Sequence, residues 1–204
     1  MLVVLTGDIV DSAALSPADL DRTIESLCDA GTAMADWPHD SDRPVSGFAR
    51  RGGDGWQIAL NAPKYALRAA LYVVATVRRL DRMRETRFAI AEGDGTLPAE
   101  GDLNAAHGPA FIASGRLLDA LPSQVLISHA EGGPKTACFV LADQITRGWT
   151  QAQARALCEV LPPGAGPRSD AAARIGVSRQ AVDQALRAAG YPALEAAMAE
   201  MEAM

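Results

Sequence analysis

The apolar positions of the chain fall into short extended runs and longer stretches with helical spacing. Leu2-Val3-Val4-Leu5 is a continuous apolar run ending at Thr6-Gly7-Asp8, the pattern of a buried strand with an acid at its C-terminal end. Ser16-Pro17 marks a helix start, and Leu20, Ile24, Leu27 and Cys28 recur at helical spacing as far as Gly31. After a polar loop from Pro38 to Pro44, Val45–Ala49 and Trp56–Leu60 read as extended segments. They flank Arg50-Arg51-Gly52-Gly53-Asp54-Gly55, a hairpin with glycine and acid at its tip. Pro63 opens a second helix whose apolar positions Leu67, Leu71, Val74 and Val77 run to Leu80, and Arg87–Ala91 forms another strand.

Strand, helix, hairpin, helix, strand is a βαββαβ order. It predicts an α/β (α+β) domain built on a ferredoxin-like sheet with helices on one face. Beyond it, Gly108–Ala120 reads as a third helix, and Val125–Ser128 and Cys138–Leu141 read as edge or accessory strands. The Pro/Gly-rich segment from Leu161 to Pro167 interrupts two helical stretches, Thr150–Val160 and Ser169–Ile175, within a small all-α unit. The expected division is therefore an α/β domain over residues 1–145 and a helical module over 146–204.

Composition narrows the class. At 204 residues and 49% hydrophobic content, the chain suits one packed domain plus a small appendage. The N-terminal apolar run is short and has no basic leader, and no stretch approaches the ~18 apolar residues of a membrane span. A soluble, cytoplasmic protein without membrane contact is expected. Cys28, Cys138 and Cys158 are widely spaced and lack a CxxC pattern, which predicts reduced packing residues. The net charge of −6 excludes a surface that coats nucleic acid as a whole, although it permits a local basic face.

Asp8 at a strand end and Asp54 at a hairpin tip are distant in sequence, but the central strands of such a sheet lie side by side. Their carboxylates are candidate ligands for one Mg²⁺ or Mn²⁺, hard cations that complete their shell with water and phosphate oxygens. Gly52, Gly53 and Gly55 would let ligand and backbone approach closely. Aspartate and glycine also punctuate turns with no ligand at all. The acids Glu92, Asp94, Glu100 and Asp102 lack EF-hand spacing and read as a solvated loop. His107 and Ser114 have no partner legible from spacing, and no hydrolase triad or zinc motif is present.

Thr6-Gly7-Asp8-Ile9-Val10-Asp11-Ser12, Gly53-Asp54-Gly55-Trp56-Gln57 and Gly108-Pro109-Ala110-Phe111 resemble the SatD family. More distantly they are similar to class III nucleotidyl cyclases, and Arg50-Arg51-Gly52-Gly53-Asp54 resembles the turn of GGDEF cyclases. The resemblance spans roughly residues 1–120. It implies metal ligation by Asp8, the Ile9 carbonyl and Asp54, and nucleotide contact by Ile9, Ser12, Arg50 and Gly53. It also implies a transition-state pair on the third helix, where this chain has Ile112 and Arg116 in place of asparagine and arginine. Arg50 stands where cyclases carry the base-reading lysine, Ala105 where they carry the base-selecting acid, and Ala89 and Ala91 replace glycines of the fourth strand. Ile112 cannot hydrogen-bond a ribose or phosphate oxygen, and a phosphoryl transition state requires its donors in place. The expectation is nucleotide or phosphate binding without turnover. The alternative is an active, homodimeric, metal-dependent cyclase in which Arg116 is catalytic.

In the C-terminal module, Ala172, Gly176 and Val182 have helix-turn-helix spacing: a small residue four before the turn glycine and an apolar residue six after it. Ser178 is the natural N-cap of a second helix whose outward positions are Arg179, Gln180, Asp183, Gln184 and Arg187. Arginine and glutamine are the side chains that read guanine and adenine edges, so Ser178, Arg179, Gln180, Gln184 and Arg187 are candidate DNA contacts. From Arg147 to Tyr191 six arginines stand against three carboxylates, a local excess of three positive charges. One such module binds DNA weakly, which implies a homodimer; a purely structural helical hairpin is the competing reading. Leu194, Ala197, Met198 and Met201 give the tail one apolar stripe, expected to dock or dimerise.

Overall fold

The computed structural model describes residues 1–38, 46–98 and 103–203. Most of the loop expected at Pro38–Pro44, together with Val45, Glu100 and Asp102, lies outside them. Among the described residues no helix is long and apolar enough to cross a membrane.

Five strands form one mixed sheet in the order β2-β3-β1-β4-β5. They are β1 (Leu2–Ile9), β2 (Ser46–Arg51), β3 (Gly55–Leu60), β4 (Thr86–Gly93) and β5 (Ile127–His129). β1 is central, antiparallel to both β3 and β4, and its register sets Asp8 opposite Gly55 on one side and Arg87 on the other. β5 runs parallel to β4, joined to it through α3 (Pro109–Ala120).

Strand side chains alternate between two apolar layers. Val3, Leu5, Ile58, Leu60, Phe88 and Ile90 face α1 (Pro17–Met34) and α2 (Ala66–Arg78), meeting Leu27, Leu67 and Leu71 in the main core. Leu2, Val4, Ala49 and Ala59 point the other way and pack with Leu103 and Ala110. The expectation of helices on one face therefore holds for α1 and α2 and fails for α3. The reason lies in β1 itself: an unbroken apolar run presents apolar side chains to both faces, so both must be covered.

The strand expected at Cys138–Leu141 is also corrected, because these residues lie inside α4 (Gly133–Thr146). Four consecutive apolar residues do not distinguish strand from helix. Phe139, Ala142, Asp143 and Thr146 are the buried positions, spaced as one helical face. Asp143, buried at that face, accepts from Leu126 N–H at 3.2 Å and pairs with Arg147 at 2.7 Å, which fixes the approach to β5.

The remaining helices are α5 (Gln151–Val160), α6 (Arg168–Ile175), α7 (Arg179–Ala188) and α8 (Tyr191–Glu202). α5 lies against α2, so Trp149, Leu157, Leu186 and Met198 belong to the same apolar cluster as the sheet. Arg68 of α2 clamps this junction: its guanidinium donates to Glu202 at 2.6 Å and to the Leu161 carbonyl at 2.7 Å. The tail helix α8 buries Leu194 and Met198 and docks on the three-residue helical turn at Pro63–Tyr65.

Candidate functional site

The end of β1 is held by a chain of hydrogen bonds that starts in the core. Gly7 leaves room for the buried Trp56 indole, since a Cβ there would lie 2.6 Å from the Trp56 ring and from Phe88. Trp56 Nε1–H donates to Thr86 Oγ1 at 2.8 Å, and Thr86 Oγ1–H donates to the Asp8 carbonyl at 2.6 Å. The chain then turns sharply through Asp11, a non-glycine residue with φ of 51°. Ile9 N–H donates to the Asp54 carbonyl at 3.3 Å, joining the strand end to the hairpin tip.

An open cleft of about 460 Å³ results, bordered by Asp8, Ile9, Ser12, Asp54, Arg87 and Ser123. Of the residues expected at the site, Asp8, Ile9, Ser12 and Asp54 come together here. Arg50 does not line it: the guanidinium donates to Asp21 of α1 at 2.8 Å and to the Gly53 carbonyl at 2.8 Å. Gly53 also lies outside the lining and has nothing near where a Cβ would sit, so its lack of a side chain serves no close contact.

Both acids are already engaged. Asp8 Oδ2 accepts from Arg87 Nη2 at 2.8 Å, and Ser12 Oγ donates to Asp54 Oδ2. The Asp8 hydrogen bond is also what raises the Arg87 guanidinium above its ordinary range. The hard oxygens here are of the type that Mg²⁺ or Mn²⁺ takes, and Asp8 and Asp54 would be the residues to hold such an ion. Arg87 nevertheless supplies a resident positive charge beside Asp8, with which any such ion competes. Sequence reasoning missed Arg87; its signal is a basic residue opening a strand whose register sets it beside Asp8.

The residues expected to act on a nucleotide from α3 lie elsewhere. Ile112 is 54% exposed, and Arg116 is exposed with no hydrogen bond or ion pair among the described residues. Neither borders the cleft. The inner side of α3 carries Ser114 instead, whose buried hydroxyl lies 2.8 Å from Thr6 Oγ1. Gln57 donates through Nε2 to the same threonine at 2.9 Å and accepts through Oε1 from Arg51 Nη2 at 2.9 Å. His107 is exposed, in an isolated bridge with Thr96.

Glu92, His129 and Glu131 form a possible metal-binding group, with one ligand atom each within 4.8 Å of the others. The sequence reading took Glu92 for a loop acid and did not single out His129, because the group assembles across β4, β5 and the following turn. Lys135 already sits among the carboxylates, 3.1 Å from Glu92 and 2.6 Å from Glu131. His129 is buried and stacked on Phe139. Its Nδ1 accepts from Glu131 N–H at 3.2 Å, which leaves Nε2 protonated in the neutral ring. Nε2 faces Glu92 Oε1 at 3.2 Å without the alignment of a hydrogen bond. A metal here would have to displace the ammonium and switch the tautomer. Burial works to raise the Glu92 carboxyl, but the His129 and Lys135 contacts together hold it below its ordinary value.

The second candidate region is the outer face of α7. α6 ends at Gly176, whose φ of 72° and ψ of 35° are the left-handed conformation that glycine adopts without penalty. Val177 N–H donates back to the Ala172 carbonyl at 3.0 Å, and Ser178 Oγ caps α7 by accepting from Ala181 N–H at 3.1 Å. Val182 and Leu186 are buried, and α5, α6 and α7 pack mutually as a three-helix unit. Ser178 is therefore occupied as a cap, with its side chain turned to the helix end. Arg179, Gln180, Gln184 and Arg187 are exposed on one side, and Gln180, Gln184 and Arg187 have no hydrogen bond or ion pair among the described residues. Asp183, on the same side, pairs with Arg168 at 3.0 Å and approaches Arg179 at 3.7 Å.

No protein-family model matches the chain, and no curated protein matches it.

Proposed function

We propose that the chain is a DNA-binding transcriptional regulator, acting as a homodimer in the cytoplasm. Its ferredoxin-like, cyclase-like sheet binds a nucleotide or phosphate ligand, with a divalent metal held by Asp8 and Asp54. The observation that carries the reading is the turn at Gly176 between α6 and α7, with Gln180, Gln184 and Arg187 exposed beyond it and without a hydrogen bond or ion pair among the described residues. Long polar side chains without internal partners on a capped helix suit the major groove, where they exchange water for base edges. The sheet order β2-β3-β1-β4 supports the fold assignment, and the shared cleft of Asp8 and Asp54 supports the ligand half.

Fluorescence-anisotropy titration of the full chain on genomic duplex fragments tests the DNA half. Substituting Arg179 and Gln180 with alanine is expected to cost ~1–3 kcal/mol for each lost base contact, roughly tenfold or more in affinity. Unchanged binding in a folded double variant would count against the reading.

The cleft geometry also favours a second reading, an active metal-dependent cyclase. Arg116 lies outside the cleft, so this reading requires a dimer that supplies the missing donor across its interface. Incubation with each nucleoside triphosphate and Mn²⁺ followed by mass spectrometry decides between them. A cyclic product that disappears in Asp54→Ala would establish the enzyme.

A further inference from the structure

The outer face of α7 carries one acid among its cations, and that acid is not free. Asp183 Oδ1 accepts from Arg168 Nη1 at 3.0 Å, reaching from the middle of α7 to the first residue of α6. Its other oxygen lies 3.7 Å from Arg179 Nε, one helical turn earlier. The Arg168 guanidinium also lies over the Tyr191 ring, 6.0 Å from its centroid, so it is held from two sides. Hydrogen bonding to Arg168 first, and the charges of Arg168, Arg179 and Arg187 after it, hold the Asp183 carboxyl below its ordinary value. The remaining arginines of the unit differ: Arg174 is tied to Glu159 at 2.5 Å, and Arg155 and Arg187 make no hydrogen bond or ion pair among the described residues.

This arrangement matters for a polyanionic partner. In helix-turn-helix docking the first helix crosses the phosphate backbone while the second enters the groove. Arg168, at the start of the first helix, belongs to the phosphate-contacting side, and the carboxylate of the second helix neutralises it in the free protein. We propose that Arg168 is a further DNA-contacting residue and that Asp183 gates it, restraining Arg168 until a duplex competes for it. The gate lowers affinity for arbitrary sequence, because phosphate contact is the main source of non-specific binding. It leaves Gln180, Gln184 and Arg187 to read bases. This inference rests on the DNA-binding reading of the same face.

The test uses the full chain and a mixed-sequence 20-bp duplex, with anisotropy titrations from low to moderate salt. Asp183→Asn is expected to tighten binding about tenfold at low salt. It should also steepen the salt dependence by about one unit, the increment of one added phosphate contact. In an Arg168→Gln background the same substitution should give about threefold and no added slope, since removal of a negative charge alone remains. Equal gains in both backgrounds overturn the gate, as does an Asp183→Asn protein that is folded and binds no tighter. Asp183→Ser repeats the measurement should the asparagine variant lose its thermal transition. Arg187→Ala separates the two ideas: if it weakens binding while Asp183→Asn changes nothing, the gate alone falls. If no folded variant binds duplex at any salt, the DNA reading falls and takes the gate with it.

Discussion

The cleft at the end of β1 and the outer face of α7 are both polar and both open to solvent, yet their polar groups are engaged differently. In the cleft Asp8 is bonded to Arg87 and Asp54 to Ser12, while nearby Arg50 is bonded to Asp21. On α7 only the Asp183 cluster is paired, and Gln180, Gln184 and Arg187 point outward without partners among the described residues. The difference teaches what each region asks of a ligand. A metal or phosphate entering the cleft must displace charge-assisted hydrogen bonds, each contributing ~1.5–3 kcal/mol. A duplex meeting Gln180, Gln184 and Arg187 displaces mainly water.

The largest effect that breaks this comparison is expected at Gly7. A valine there would drive its Cβ into Trp56, Phe88 and the Arg87 carbonyl, all 2.6 Å away. Overpacking of a filled core is expected to cost about 3 kcal/mol. Chemical denaturation followed by circular dichroism measures it. Because Trp149, Leu157 and Leu186 share the core of the sheet, the helical module should unfold in the same transition. A normal midpoint would mean that Trp56 is not seated beneath Gly7 and that the cleft floor is differently built. Two separated transitions would instead show that the cleft and α7 belong to independent folding units.

How much of this was legible in the sequence follows the range of the interactions involved. Local features read cleanly: the Ser16 and Ser178 caps, the Gly176 turn and the helical spacing of α1, α2 and α7 depend on neighbours a few residues away. Asp8 and Asp54 were recoverable because strand ends and hairpin tips carry their own patterns. Arg87 was not, since its pairing with Asp8 depends on the register between β1 and β4. The placement of α3 on the second face was not read, because the two-sided apolar run of β1 also suits a strand covered by a loop. The short apolar stretch at Cys138–Leu141 was misread because length, not composition, decides between a strand and a helix there. His129 and Lys135 illustrate the same limit, for they meet Glu92 only once β5 is laid beside β4.

A middle-sized effect sharpens the comparison at Arg87. If its guanidinium is the resident cation of the cleft, Arg87→Gln should free Asp8 and tighten Mn²⁺ binding about tenfold, roughly 1.4 kcal/mol. Isothermal titration with Mn²⁺ alone reads this directly, and Asp54→Asn should abolish the gain. Equal Mn²⁺ affinity in wild type and Arg87→Gln would show that Asp8 is not a metal ligand, leaving the aspartate as a structural partner of Arg87.

The smallest effect concerns the Glu92, His129 and Lys135 cluster, which tests whether internally paired groups here serve structure. Glu92 is held below its ordinary value, so the sign is that of a depressed carboxyl: its contribution is present above the unfolded value of ~4.3 and is lost as pH falls through the lower folded value. Lys135 is raised by its bonds to Glu131 and Glu92 against the opposing effect of burial, so it stays charged throughout this window. Wild type should therefore exceed Glu92→Gln by about 1 kcal/mol at neutral pH, the net scale of one hydrogen bond. The gap should hold down to about pH 5 and close below it. Thermal unfolding of both proteins from pH 7 to pH 3 supplies the measurement. A gap that persists to pH 3 would mean that Glu92 acts through packing and not through its charge, and the contrast between paired cleft and open helix would then rest on geometry alone.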